Sequence, residues 1–269
     1  MVDWLKLFQE IADEIRQDVK PFFGSEKARE DMGRGAGGDT TKYVDFLAEE
    51  IVVRTLEAGE VPCTLISEEC GTRRIGRGGA DYVVLDGIDG TTNSTRNIPF
   101  VSTSIARSTG NRLGDVDVAL VKDLYRDLDY TAIRGKGAFE EGKPLHVSNI
   151  NSLERAIVAV NLTPRERLPG QINRISPVLF KALKFRQLGS TALEVCYVAT
   201  GALDAFIDVE GLARATDLAA ANLILKEAGG ITVTSLGEEL DMPLRTSARL
   251  PFVSAANKTL CSEILSYLK

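Results

Sequence analysis

The stretch Asp81-Tyr82-Val83-Val84-Leu85-Asp86-Gly87-Ile88-Asp89-Gly90-Thr91-Thr92-Asn93 changes character halfway along. Residues 81–85 are mostly apolar, β-branched and aromatic, which predicts a short buried strand. Two carboxylates, Asp86 and Asp89, stand three residues apart at its end. Gly87 and Gly90 allow the backbone to turn tightly there. Both carboxylates and the Ile88 carbonyl can then face one point, an all-oxygen set of the type that Mg²⁺ and other hard cations prefer. The amides of Gly90 and Thr91 would open a short helix and meet an anion. The competing reading is a glycine-rich turn with surface acids. For Asp-x-x-Asp-Gly alone that reading is the better one; the buried strand in front of it reverses the preference.

Other acids also stand at element ends. Glu68-Glu69 follows the strand-like CTLIS (63–67). Asp217 opens the alanine-rich helical run of residues 217–228, where alone it would read as an N-cap. Asp45 lies in a helix predicted after residues 39–41 and alone would read as a solvated acid. Together they suggest one cation site assembled from both halves of the chain.

Composition narrows the function classes. The chain has 269 residues, 44% hydrophobic and 26% charged, which suits a soluble protein of about two domains. The net charge of −6 argues against binding dominated by nucleic-acid phosphates. One histidine, His146, excludes a multi-histidine zinc site. The four cysteines form no Cys-x-x-Cys pair, so free thiols in a reducing cytoplasm are expected. No run of about 18 apolar residues predicts a membrane span, and the acidic opening MVDWLKLFQEIADE does not read as a signal peptide.

Trp4, Phe8, Ile11, Ile15, Val19 and Phe22 form one helical stripe. With the second helix and strands near 63–67, 81–85, 101–106, 116–121 and 127–133, the first half reads as two helices and a largely antiparallel sheet. The second half alternates strands (156–160, 184–188, 205–209, 231–234, 252–255) with helices (171–183, 191–200, 217–228 and one after Asn257). We expect a division into residues 1–147 and 148–269.

Two motifs mislead. Gly33–Gly38 matches Gly-x-Gly-x-x-Gly but follows no strand, and a flexible surface loop is expected. Asp127-Leu128-Asp129-Tyr130-Thr131 matches the Asp-x-Asp-x-Thr nucleophile motif of aspartyl-phosphate phosphatases. It follows KDLYR rather than a buried strand, so a solvated hairpin is expected. A cysteine phosphatase is excluded because position 76, where its arginine would stand after Cys70, is glycine.

Seven segments in order resemble the inositol monophosphatase family of Mg²⁺-dependent, lithium-sensitive phosphatases. They are TKYVD (41–45), ISEEC (66–70), DGIDGTTN (86–93), FVSTSIA (100–106), RGKGAF (134–139), LGSTALEVCYVATGALDAF (188–206) and TDLAAANLILKEAGG (216–230). The resemblance implies an α+β fold, an αβαβα layered sandwich, with the site between the halves and commonly a homodimer. It implies Glu68, Asp86, the Ile88 carbonyl, Asp89 and Asp217 as ligands for two or three Mg²⁺. Thr91 with Glu68 would orient the attacking water, and Asp45 would support Thr91 and a further metal. Gly87 stands where the family usually has proline, and Thr216 where it commonly has tryptophan.

The substrate implied is a small phosphorylated polyol or sugar: inositol-1-phosphate, fructose-1,6-bisphosphate, or alternatively 3′-phosphoadenosine-5′-phosphate or NADP. Asp89, Gly90 and Thr91 would contact the phosphate. Gly189, Ser190 and Thr191 could present amides and hydroxyls to the polyol. Arg96 and Arg186 could hold a second phosphate, and Asp208 or Glu210 a sugar hydroxyl. No nucleic-acid or membrane partner is expected.

Overall fold

Asp3 opens α1 (Trp4–Val19) by accepting the Lys6 amide at 3.3 Å. Its apolar stripe is buried as far as Val19, and Phe22 falls in a tight turn beyond it. Pro21 explains the stop, because its ring and missing N–H cannot continue the helix. The structure is a computed structural model describing residues 2–163 and 165–268.

The glycine-rich stretch 33–38 is not the free loop expected. It turns a two-stranded hairpin, β1 (Asp31–Arg34) with β2 (Thr40–Lys42). The amides of Ala36 and Gly37 donate to the carbonyls of Glu69 and Glu68 at 2.9 and 2.8 Å. That backbone pairing, unreadable from the glycine pattern, fixes the turn. The second helix, for which Asp39, Thr40 or Thr41 are the N-caps the sequence offers, is α2 (Tyr43–Ala58), and its N-cap is Lys42, because Asp45 in its first turn accepts the Lys42 amide at 2.9 Å.

The first sheet contains β3 (Cys63–Ser67), β4 (Gly71–Ile75), β5 (Asp81–Asp89), β6 (Ser102–Ser108), β7 (Val116–Asp123), β8 (Leu128–Ile133), β9 (Ala138–Glu140) and β10 (Lys143–Pro144), with the short α3 (Thr91–Arg96) after β5. Its order is β10-β9-β8-β7-β6-β5-β3-β4, antiparallel except for β3 with β5. The second half holds β11 (Ile157–Val160), α4 (Leu168–Lys181), β12 (Lys184–Arg186), α5 (Thr191–Ala199), β13 (Ala205–Asp208), α6 (Ala215–Glu227), β14 (Ile231–Thr234), β15 (Phe252–Ala255) and α7 (Lys258–Tyr267). Its five strands run β12-β11-β13-β15-β14, with β11 parallel to both neighbours.

Three apolar clusters fill the spaces between layers. One packs α1 and α2 on the outer face of the first sheet, through Phe8, Ile15, Ile51, Leu85 and Ile105. The second joins the halves: Leu193, Cys196, Ala220 and Ile224 of α5 and α6 meet Val84, Ala119 and Val121. The third packs α4 and α7 on the far face of the second sheet, through Ile175, Val178, Leu260 and Ile264. The layers are therefore helix, sheet, helix, sheet, helix, as the resemblance implies. The helix α6 is alanine-rich because sheets crowd it from both sides. No helix among the described residues is long and apolar enough to cross a membrane.

The Asp127–Thr131 motif is a hairpin, as expected. Asp127 sits in the β7–β8 turn at φ 58°. The buried Lys122 ammonium lies 2.8, 3.1 and 2.9 Å from Asp13, Asp127 and Asp129, so these acids are engaged structurally. Removing one partner of a fully buried ion pair costs about 3–5 kcal/mol. Asp13 and Asp127 side chains are 56% and 48% exposed, and water serves them in part. We expect Lys122→Met to lose about 1–3 kcal/mol in urea denaturation. An unchanged midpoint would show that water satisfies these acids as well as the lysine does.

Candidate active site

Residues three apart on a regular strand point to opposite faces. The strand β5 avoids this with a one-residue bulge: Asp86 pairs with Ser104 and Asp89 with Ser102 of β6, so three steps on β5 match two on β6. The extra residue turns both carboxylates toward the α6 side, where each feels repulsion from Asp217. Parallel pairing of Ser67 with Leu85 puts Glu68, the next residue of its segment, beside Asp86. Carboxylate oxygens of Glu68, Asp86 and Asp217 lie within 4.8 Å of one another.

Two of the acids serve helices as well as the site. Asp45 in α2 and Asp217 in α6 both occupy the third helical position. Asp217 Oδ2 accepts the Arg214 amide at 2.9 Å, just as Asp45 Oδ2 accepts that of Lys42. Anions at helix N-termini are stabilised by the unpaired amides and the macrodipole. Each acid keeps its other oxygen for a different partner. Asp45 Oδ1 accepts the Thr91 hydroxyl at 2.9 Å. Asp217 Oδ1 accepts the hydroxyl of Thr216, the fully buried residue standing where the family commonly has tryptophan, at 3.0 Å.

Thr91 Oγ1 also lies 3.2 Å from the Ile88 carbonyl. Before it, Gly90 adopts φ 100°, and a Cβ there would come within 3.1 and 3.2 Å of the carbonyls of Phe100 and Gly189. Only glycine fits this turn without strain.

Asp89 lies outside the three-carboxylate cluster. Its oxygens accept the Ser190 hydroxyl at 2.6 Å and the amides of Thr191 and Ala192 at 3.2 and 2.7 Å. The sequence expectation aimed Ser190 and Thr191 at a polyol. In the structure the Ser190 hydroxyl and the Thr191 amide are turned inward to hold Asp89. Arg96 and Arg186 are both exposed, and the Arg186 guanidinium donates to its neighbour's carbonyl, that of Phe185. The Asp208 carboxylate accepts the amides of Glu210, Leu212 and Ala213 and shapes its own turn, while Glu210 lies 3.9 Å from Arg174.

Sequence reasoning missed two residues. Arg214 bonds Glu68 at 2.7 Å and also pairs with Asp39. Its signal was the Arg-x-x-Asp spacing to Asp217. Glu194, an acid inside the apolar run TALEVCYVA, accepts the amides of Leu188 and Gly189 at 2.9 and 3.4 Å and so fixes the backbone in front of Ser190.

Burial dominates the electrostatics. It pushes Asp45 up to about 7, Glu68 to about 8 and Asp86 well above the usual carboxylate range. Repulsion from Asp217 adds to burial at Glu68, where Arg214 opposes it. Asp89 rises to about 7 for the same two reasons, with the Ser190 hydroxyl pulling the other way. A buried, all-oxygen cluster that resists ionising alone is the donor set a hard cation fits.

Residues 3–267 match the profile of the inositol monophosphatase family. The chain belongs to that family. It is 34% identical to a fructose-1,6-bisphosphatase/inositol-1-monophosphatase of Methanothermobacter thermautotrophicus, over 99% of this chain and 96% of the other. It is 35% identical to a bifunctional NADP phosphatase/NAD kinase of Methanococcus maripaludis, over 94% of this chain and 47% of that longer protein. Among solved structures it is similar to a crystal structure of an inositol monophosphatase–fructose 1,6-bisphosphatase, with TM-score 0.87, 29% identity and coverage of 99% and 100%. The fold also matches that of an inositol monophosphatase of Thermotoga maritima at TM-score 0.81 and 24% identity, over 99% and 97% of the two chains.

Family membership makes the acid cluster the place to look for metal dependence, and its protons give a test. A carboxyl whose pKa folding raises binds a proton more tightly when folded. It therefore adds stability below its unfolded value of about 4 and withdraws it as pH climbs toward the folded value, here about 7 for Asp45 and Asp89 and about 8 for Glu68. A cation must displace those protons. The metal-free protein should melt at lower temperature as pH rises from about 5 to about 8.5, and Mg²⁺ should raise the melting temperature more at the upper end than at about pH 6. Equal increments at both pH values would locate the cation elsewhere.

Proposed function

We propose that this protein is a Mg²⁺-dependent phosphomonoesterase that hydrolyses inositol-1-phosphate and fructose-1,6-bisphosphate by direct attack of water. The observation that carries this reading is the meeting of Glu68, Asp86 and Asp217 within 4.8 Å, beside a Thr91 hydroxyl bonded to buried Asp45. The names of its full-length relatives support the substrate class. Glu68, Asp86, the Ile88 carbonyl, Asp89 and Asp217 would hold two or three Mg²⁺, with Asp45 near a further one. Bound Mg²⁺ would neutralise the phosphate dianion and acidify a water molecule.

The chain's own residues position the reactants. With its proton committed to Asp45, Thr91 Oγ1 turns a lone pair outward, where it accepts a proton of the attacking water; Glu68 takes the other side. The amides of Gly90 and Thr91 hold phosphate oxygens. Ser190 and Thr191, with the Gly189 backbone set by Glu194, act on the substrate by aiming Asp89. No histidine, cysteine or serine nucleophile enters. Hydrolysis of the 2′-phosphate of NADP is the second reading, favoured by the 35% identity to a bifunctional NADP phosphatase/NAD kinase.

The same reading divides the chain into residues 1–147 and 148–269 and includes lithium sensitivity. Four free cysteines suit the cytoplasm, and the net charge of −6 suits a protein without nucleic-acid partners. Homodimerisation is supported by Phe180, Leu183 and Phe185, which are 89%, 53% and 53% exposed around the edge strand β12.

Asp86→Asn should lower turnover by at least ~100-fold at saturating Mg²⁺. Because it removes one of several mutually repelling charges, the metal-free variant should melt no lower than the parent. Turnover near that of the parent would refute the assignment. Thr91→Ala should lower kcat by roughly 100-fold with little change in KM, since the water contact matters most in the transition state, and Thr91→Ser should recover most of the loss. A rise in KM alone would make Thr91 a binding residue.

A further inference from the structure

Beside the acid cluster, on the far side of Arg214, lies a cavity of about 590 Å³. Its walls include Asp39, Thr163, Arg167, Leu212, Arg214 and Arg249, drawn from the β1–β2 hairpin, the segment after β11, and the turns before α6 and β15. This volume falls within the range of small-molecule sites, about 300–1,000 Å³. Three guanidiniums in one cavity are unusual for a chain of net charge −6. Two acids, Asp39 and Glu166, also line it, and Asp39 is already paired with Arg214.

The three arginines differ in how far the protein satisfies them. Arg214 is buried, bonds Glu68 and Asp39, and leaves its Nε buried without a partner among the described residues. Gly37 packs against that Nε, and a Cβ there would come within 3.1 Å of it, so a side chain at this position would crowd the guanidinium. Arg249 makes only long hydrogen bonds, 3.4 Å each, to the carbonyls of Leu212 and Gly37. Neither Arg249 nor Arg167 makes an ion pair among the described residues, and both are exposed. Arginine forks suit phosphate oxygens bidentately. Arg214 separates the two charge zones: acids that need cations on one side, free guanidiniums on the other.

We propose that this cavity seats a second, non-reacting phosphate or diphosphate of the substrate, held by Arg167 and Arg249 with Arg214 as the wall between it and the scissile phosphate. The proposal rests on the phosphatase reading above and adds to it the selection of substrates with two anionic groups. It differs from the sequence expectation, which assigned that task to Arg96 and Arg186; neither lines this cavity. The second anion has two chemical sources, the distal phosphate of a hexose bisphosphate and the diphosphate bridge of a dinucleotide.

The experiment compares kcat/KM within two pairs that share a scissile phosphate: fructose-1,6-bisphosphate with fructose-1-phosphate, and NADP with 2′-AMP. Parent, Arg249→Gln, Arg167→Gln, the double variant and Arg186→Gln are measured in Mg²⁺ at one ionic strength, because salt screens such contacts, and melting curves confirm folding. The ratio of the doubly to the singly anionic substrate should fall by about tenfold for each cavity arginine, the lower end of what a charge-assisted hydrogen bond contributes. A fall in the hexose pair assigns the distal sugar phosphate, and a fall in the nucleotide pair the diphosphate; either supports the cavity. Ratios unchanged in both pairs, or a fall produced by Arg186→Gln alone, overturn it. If the parent hydrolyses none of the four, turnover of inositol-1-phosphate decides whether the phosphatase reading stands, and the cavity is judged by calorimetry with inorganic pyrophosphate and metal-free protein. Binding about tenfold weaker in the double variant then supports the cavity, and equal binding overturns it.

Discussion

Carboxylates buried together repel, and that repulsion is the constraint around which this fold is arranged. At 4.8 Å and an effective dielectric of about 20, two like charges cost roughly 3–4 kcal/mol. The three pairs among Glu68, Asp86 and Asp217 would together cost about 10 kcal/mol if all were ionised, comparable with the roughly 5–15 kcal/mol that hold a typical domain together. Protons, a fixed cation or bound metal must therefore share the site. Burial and mutual repulsion raise the pKa values of Glu68 and Asp86, so both hold a proton more tightly than a free carboxylate does, and Arg214 is the fixed cation.

Rigidity around the acids follows from that need, because a flexible frame would relax by letting them drift apart. Asp45 and Asp217 are locked by capping their own helices. Asp89 is pinned by two backbone amides and a serine hydroxyl at the start of α5. Asp86 is pinned by the bulge in β5 and by the Ile88 amide at 3.1 Å. Among the described residues Glu68 has no such backbone anchor for its carboxylate; it is held by Arg214, which also reaches the exposed β1–β2 hairpin through Asp39. Asp45, Asp86 and Asp217 are thus set by neighbouring backbone, whereas Asp89 depends on the distant start of α5 and Glu68 on a long-range ion pair.

This division explains what could be read from the sequence. The helix stripe of α1, the β5 strand and the acids at its end follow from local periodicity and turn chemistry, which sequence carries directly. The layered order came from the resemblance rather than from periodicity. The bulge that brings Asp86 and Asp89 to one side was hidden, because nothing in Gly87-Ile88 says which partner strand will absorb the extra residue. The pairing of the Gly35–Gly38 turn with Glu68 and Glu69 was hidden too, since backbone hydrogen bonds between distant segments leave no side-chain pattern. Arg214 was passed over, because only the closed chain puts Glu68 beside it. Ser190 was seen as important but given the wrong direction: the notion of a hydroxyl facing substrate overlooked that buried Asp89 needs donors of its own.

The position of the cluster on the seam gives the repulsion a use. Asp86 lies in β5 and Glu68 directly follows β3 of the first sheet, while Asp217 belongs to α6, which packs between the two sheets. A ligand that binds only when all three are assembled stabilises the assembled state by mass action, about 2.7 kcal/mol at one hundred times its dissociation constant. That is close to one pairwise repulsion at the separation seen here. The electrostatic weakness at the seam is therefore largest when the site is bare and deprotonated, and it shrinks when a cation enters. An apolar seam would hold the halves together more tightly and at any pH, but it would offer a phosphate dianion nothing. Placing the acids where the layers meet makes the closed arrangement of the two halves and the readiness of the site for an anionic substrate depend on the same charges.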